Sequence, residues 1–383
     1  MPIGKRILIL LAAVLFTALY LAIPFGLAYL LVTNVLGPNS TLTSVIGLFF
    51  LLVMILAEPT VILNLMVAFR LTRPAVAMGE LLSKAGRTPQ SRLAASAVTG
   101  DIQRRLGNDE AAERLAMRGL AEWPRVNRPK RYSGHFAMCR DIMGHMCLQR
   151  GLFQEALNNF YEPLTMELAD KNKRIILNLN CIAAMNSLGY FKEALEYVGT
   201  VAALGPLTGL TATIHLCHHA AALIGLSRIE EAVAKAEEAR QSADSPPAVT
   251  QAAVTAAWAY VEAGQIGKAR QAIDGAKVDQ KSSGTLPSSF KILQSRALTM
   301  EGRILAAEGK VEAAISTLTR AVDLSPVSAA AMDALINICE SQGQPDAARG
   351  WRERLIREVP ESWQARRLSG SEHVGAWPPA PVQ

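Results

Sequence analysis

Two hydrophobic patterns divide this chain. Residues 1–69 are apolar almost without interruption, and charge enters only at Lys5, Arg6 and Glu58. From residue 93 to residue 362, apolar and small residues recur instead at helical spacing, with polar residues on the intervening faces. The first pattern predicts helices that are apolar all round. The second predicts amphipathic helices that share a core.

The uninterrupted part contains two runs. Ile7–Thr33 comprises 27 uncharged residues, and a helix of that length reaches roughly 40 Å, enough to cross a bilayer with tilt. Pro24 and Gly26 predict a kink within it. Val45–Phe69 is the second run, reached through the short uncharged linker NVLGPNST. A cleaved signal peptide fits poorly, because the first run is too long and a second follows at once. Lys5 and Arg6 flank the first run, and Arg70 and Arg73 follow the second. The positive-inside rule keeps both flanks cytoplasmic. The expectation is a transmembrane hairpin over 1–69 (spans 7–33 and 45–69), then a basic juxtamembrane linker or helix over 70–92.

Glu58 and Asn64 are the polar residues of the second run. A carboxylate inside a membrane costs about 2.5–3.5 kcal/mol on insertion scales, so it invites a functional reading. A protonated Glu58 bonded to backbone freed by Pro59, or touching another helix, accounts for it better than transport does. One carboxylate on two helices makes no pathway.

Charge sharpens the division. Residues 70–150 hold 15 Lys and Arg against 7 Asp and Glu, whereas 151–383 hold 22 against 25. Basic excess beside an apolar segment suits anionic lipid, which attracts each cation by about 1 kcal/mol. No interleaved aromatics or binding module supports a nucleic-acid partner. The five cysteines (Cys139, Cys147, Cys181, Cys217 and Cys339) are odd in number and lie within apolar helical patterns. Buried thiols are expected rather than a disulfide framework.

Within the periodic part, residues 308–326 read EGKVEAAISTLTRAVDLSP. Similar stretches are LGNDEAAERLAMRGLAEWP, RGLFQEALNNF, LGYFKEALEYVGTVAALGP, LSRIEEAVAKAEEA, AGQIGKARQAIDGA and QGQPDAARGWRERLIREVP. Each has Gly, or Ser in the fourth of these, followed five residues later by Ala, and several close on Pro. A period of this length signals a solenoid of helix pairs.

These residues resemble the tetratricopeptide repeat family. The unit beginning at Ser295 places Gly302, Gly309, Val311, Ala314, Leu318, Ala321 and Pro326 at the family's positions. Units at 93–126, 137–170 and 250–283 follow, with weaker ones at 175–208, 213–246 and 329–362, about seven in all. The resemblance implies an all-α helical solenoid over 93–362. Residues 127–136 and 284–294 exceed a tight turn and are expected to mark bends or boundaries. Residues 363–383 read as a largely disordered extension.

The resemblance also implies that the first helix of each unit lines a groove. Its positions in this chain include Asp101, Arg104, Asp141, His145, Asn186, Cys217, Trp258, Arg296, Arg303, Asp333, Asn337 and Glu340. The candidate partner-binding residues are His145, Asn186, Trp258, Arg296, Arg303 and Asn337. Trp258 suits an apolar anchor, and Arg296 with Arg303 suits a carboxylate or phosphate. The Lys/Asn pattern that clamps a terminal carboxylate in some relatives is not reproduced.

Two clusters raise a metal reading. IHLCHH places His215 and His219 at i and i+4 around Cys217, but lacks the third ligand that catalytic zinc normally needs. HFAMCRDIMGHMC offers soft donors, although Met143 and Cys147 fall at packing positions. No phosphate-binding loop, dinucleotide fingerprint or nucleophile elbow is present, so no enzyme and no cofactor are expected.

Together these features predict a membrane-anchored scaffold that binds proteins or peptides in its groove. The bacterial inner membrane is the expected location, with the repeats in the cytoplasm, and self-association stays open. The layout is also similar to a bacterial inner-membrane protein associated with haem biosynthesis. That alternative would give the His/Cys clusters a haem or metal to bind or deliver.

Overall fold

The computed structural model describes residue 63 and residues 72–127, 129–168, 170–275 and 288–371. Glu58 and Asn64, and nearly all of both expected spans, lie outside the described residues. No helix among the described residues is long and apolar enough to cross a membrane. Leu63, from the second expected span, is fully buried among Ala75, Met78, Leu82, Ala95, Val98 and Ile102.

The described residues are helical, with no strand among them. The chain separates into two compact units, 1–142 and 143–383. In the first unit lie α1 (Thr72–Ala85), α2 (Pro89–Arg105) and α3 (Asp109–Glu122). The division falls inside α4 (Pro129–Gln149). Helix α1 occupies much of the segment expected as a basic linker. It approaches α2 closely because a Cβ on Gly79 would collide with the Thr99 side chain. Arg92 on α2 pairs with Glu122 on α3 at 2.6 Å, and this hydrogen bond holds the Glu122 carboxyl below its usual range.

The second unit continues with α5 (Phe153–Tyr161), α6 (Lys171–Leu188), α7 (Phe191–Ala203), α8 (Gly209–Gly225) and α9 (Ile229–Ser242). Next come α10 (Pro246–Glu262), α11 (Ile266–Asp274), α12 (Ser288–Ala307) and α13 (Val311–Leu324). Finally come α14 (Ala329–Ser341), α15 (Pro345–Glu358) and α16 (Trp363–Ser369). From α2 to α15 the helices alternate as first and second members of pairs.

Two expectations change at the helix starts. Helix α4 begins at Pro129 and α12 at Ser288, so both take up residues expected to be linker. Proline is tolerated in a first helical turn because the N–H it lacks would have no helical partner there. The C-terminal extension likewise opens with a capped helix. The Ser362 hydroxyl accepts from Ala365 N, and Gly370 closes α16 in the left-handed region.

The turn inside each pair explains the repeating Gly. Gly309 sits at φ +77°, and Ser227, where the sequence substitutes Ser, is held at φ +58°. Ser227 is the only non-glycine residue with positive φ among the described residues. The backbone therefore keeps one left-handed residue per turn whether or not Gly is present. Gly302 has a different task, because a Cβ there would lie 2.5 Å from Leu318 Cγ. It lets α12 and α13 meet around Ala314, Leu318, Ala321 and Ile304, all fully buried. The five cysteines are buried.

Candidate partner-binding face

In the second unit the successive first helices α6, α8, α10, α12 and α14 touch one another. The second helices contact mainly the first helices beside them. A double layer whose members lie closer on one side curves toward that side. The first helices therefore line a concave face.

Two of the expected groove residues meet there. Trp258 Nε1 donates to Glu262 Oε1 at 3.0 Å, one turn along α10. Arg303 on α12 donates to the same oxygen at 2.8 Å. Glu262 thus joins Trp258 to Arg303, although the sequence reading passed over it. Its i+4 spacing from Trp258, on the same helical face, was the available signal. On α14, Asp333 accepts from Arg367 of α16 at 2.6 Å. Burial raises the Asp333 carboxyl against the pull of Arg367, and the group also senses Arg303 and Glu262. The wall here carries charges of alternating sign, mutually neutralised.

Arg296 differs. It lies two turns before Arg303 on α12 and is exposed to solvent. Protein nevertheless surrounds it on enough sides that desolvation lowers its pKa, as expected on a concave wall. Among the described residues it has no hydrogen-bond or ion-pair partner. His218 on α8 stands near enough that burial, then Arg296 and His215, lowers its pKa to about 3. A cation and a neutral imidazole therefore share this part of the wall.

The other expected residues are separate. His145 is half-buried, 3.4 Å from Asn180 Nδ2 through its Nε2, with its ring edge-on to Phe160. Asn186 Nδ2 donates to the His218 carbonyl at 3.2 Å and braces α6 against α8. Asn337 is exposed on α14, one turn beyond Asp333. Cys217 is a correction to the groove set, because it is 2 % exposed and packed with Ala239 and Ala252.

The residues around Cys217 do not fit a metal or haem centre. His215 Nε2 is 3.1 Å from the Val198 carbonyl, so that nitrogen carries the proton and donates. The His215 and His219 rings are 6.4 Å apart, and burial pushes the Cys217 thiol up to about 11. Among the described residues no three His, Cys, Asp or Glu side chains are grouped to hold a metal. The neighbouring Arg296 charge would also oppose a dication. Successive positions on α8 turn away by about 100°, which separates donors that adjoin in sequence.

Residues 299–370 match the tetratricopeptide repeat family profile. The similarity to tetratricopeptide repeats covers those residues. Among solved structures, a Rap protein complexed with competence and sporulation factor superposes with TM-score 0.54 and 12% identity, over 82% of this chain and 95% of that one. That likeness shows the helical-repeat fold. Weaker superpositions, carrying no further argument, include the APC/C hetero-tetramer Cut9–Hcn1 (TM-score 0.43, 10% identity, 79% of this chain and 66% of that one). Another is a monomeric IFIT1 mutant with Gppp-AAAA (TM-score 0.45, 15% identity, 81% and 70%). No curated protein matches the chain in sequence. Helical repeats of this type suit a protein-interaction scaffold.

Proposed function

We propose that this protein is a membrane-anchored scaffold whose tetratricopeptide repeats hold a partner protein or peptide on the concave face of residues 143–383. The observation that carries the reading is Arg296, which has no partner among the described residues on a wall where Arg303 and Arg367 are already paired. An acidic group of a partner would restore charge balance there. Trp258 offers an aromatic contact nearby. The apolar runs over 7–33 and 45–69 support an anchor in a bacterial inner membrane, with the basic segment against anionic lipid and the repeats in the cytoplasm. Anchoring confines both molecules to one surface, so modest affinity suffices.

The test places a photocrosslinking residue at Asn337 on the concave side, or at Ser316 on the outer helix α13, of the full chain in host membranes. A protein crosslinked from Asn337, absent from Ser316 and lost on Arg296→Ala is the expected result. Equal crosslinking from both positions would overturn the assignment of the face. Alkaline carbonate extraction tests the anchor. The full chain should stay with the membrane, and a chain lacking residues 1–69 should be released.

A further inference from the structure

The second unit returns to its own beginning. The Gln154 backbone N–H, in the first turn of α5, donates to Glu361 Oε2 at 2.8 Å across 207 residues. Helix α5 has no side-chain cap of its own, so Glu361 supplies an acceptor, and negative charge, where a helix N-terminus favours both. The Arg366 guanidinium donates to the Leu188 carbonyl and lies 5.7 Å over the Tyr190 ring. Trp363 meets Phe191 edge-on at 6.1 Å. Gly189 makes room for this contact, because a Cβ there would lie 2.8 Å from Trp363 Cβ. Close to α16, Val359 and Val327 reach Gly151 in the same way.

This closure differs from the packing between repeats. Of the residues in α16, only Gln364 and Ala365 are buried. Its contacts with the turn between α6 and α7 are an aromatic pair, a cation over a ring and a hydrogen bond. Segments with few buried apolar contacts occupy the low end of local stability and open without global unfolding. Arg366 and Arg367 point in different directions because neighbours on a helix diverge. Arg366 reaches the turn between α6 and α7, while Arg367 reaches Asp333 on the concave wall. One short helix thus touches the turn between α6 and α7 and the inner surface together.

We propose that α16 is a clasp that closes the second unit on itself, and that its release admits bulky molecules to the concave face. The gating role rests on the partner-binding reading above, whereas the clasp can be tested with no partner present. A charged group entering the wall and competing for Asp333 or Arg367 would weaken the closure from inside. Binding and opening are then linked.

The experiment uses the full chain with Asn337→Cys on the concave side or Ser316→Cys outside as the reactive thiol. Each is modified with N-ethylmaleimide and with a polyethylene-glycol maleimide. The five native cysteines are buried and give the background, measured on the unsubstituted chain. In the parent the large reagent should be slowed relative to the small one at position 337 only. Adding Trp363→Ala and Arg366→Ala should raise that ratio at 337 by about tenfold, the factor expected when an aromatic pair and a cation–π contact are lost. The milder Glu361→Gln, which keeps the side-chain volume, should give a smaller rise in the same direction. Unchanged helical content and repeat melting would confirm that the fold is intact.

Spin labels at Lys192 and Glu353 report the closure itself, as one distance in the parent and a second, longer one in the double variant. No longer distance would overturn the clasp. A longer distance without faster large-reagent modification would overturn the gate. Equal access at 337 and 316 in the parent would also overturn the gate. Loss of the crosslinked partner alone, with both of these results standing, would instead overturn the partner-binding reading.

Discussion

The contact between α12 and α13 and the contact between α16 and the start of the second unit teach opposite lessons. In the first, Gly302 removes a side chain so that Leu318 can fill the space, and Ala314, Ala321 and Ile304 are fully buried around it. Such burial is worth about 25 cal/mol per Å² of apolar surface, and its loss leaves a cavity. In the second, Trp363, Arg366 and Glu361 make individually modest contacts at a half-exposed junction. The repeats hold by packing along their length, whereas the closure joins one apolar contact, Val359 and Val327 on Gly151, to a few polar and aromatic ones. A unit with both can keep its core while its two ends part.

The largest test of that contrast is Leu318→Ala. It should lower stability by about 2–4 kcal/mol, read from the denaturant midpoint, because the pocket beside Gly302 has no side chain to refill it. A loss near zero would mean that the two helices collapse together, and the contrast would disappear.

Two half-buried histidines of α8 give a pH test. Burial, with help from Arg296 and His215, lowers the His218 pKa to about 3. Burial, then Lys235, His215 and Arg228, lowers that of His219 to about 4. Both fall from an ordinary value of 6.5, so the unfolded chain takes up these protons first. Their contribution is intact above about pH 6.5 and is lost as pH falls towards 4 and then 3. Each imidazole accounts for at most about 1.4 kcal/mol per pH unit, reduced here by its partial contact with solvent. His218→Gln should flatten the decline in midpoint between pH 6.5 and 4.5. An unaltered slope would show that this histidine is freely solvated.

Smaller effects belong to the closure. Trp363→Ala should shift the repeat unfolding midpoint by less than about 1 kcal/mol, since an aromatic pair at a half-exposed junction contributes little more. A loss as large as that of Leu318→Ala would make α16 part of the core. Smallest is a gain. Ser227→Gly should stabilise by about 0.5 kcal/mol, because it relieves a left-handed backbone at some cost in chain entropy. A destabilising Ser227→Gly would mean that the serine hydroxyl stabilises the turn.

Much of this fold was legible. Gly309, Ala314, Leu318 and Ala321 recur at helical spacing, and the structure puts a turn and a helix contact at those positions. Ser227, the substitute in a weaker repeat, keeps the same backbone. The candidate face was legible only in part. Trp258 and Arg303 were expected on it and do converge, yet their shared partner Glu262 was missed. Cys217 was placed on the face by register alone, and the core took it because a small apolar thiol fits beside Ala239 and Ala252.

Local patterning thus determined the helices, their pairing and the left-handed turns, because each depends on residues within about one repeat of one another. Tertiary structure decided which charges are satisfied. Arg296, Arg303 and Arg367 look alike in sequence, and only their neighbours across the wall leave the first without a partner among the described residues. It also decided that Glu361 and Arg366 fasten to Gln154 and Leu188. Curvature accumulated over many repeats brings those residues together, and no local spacing records that sum.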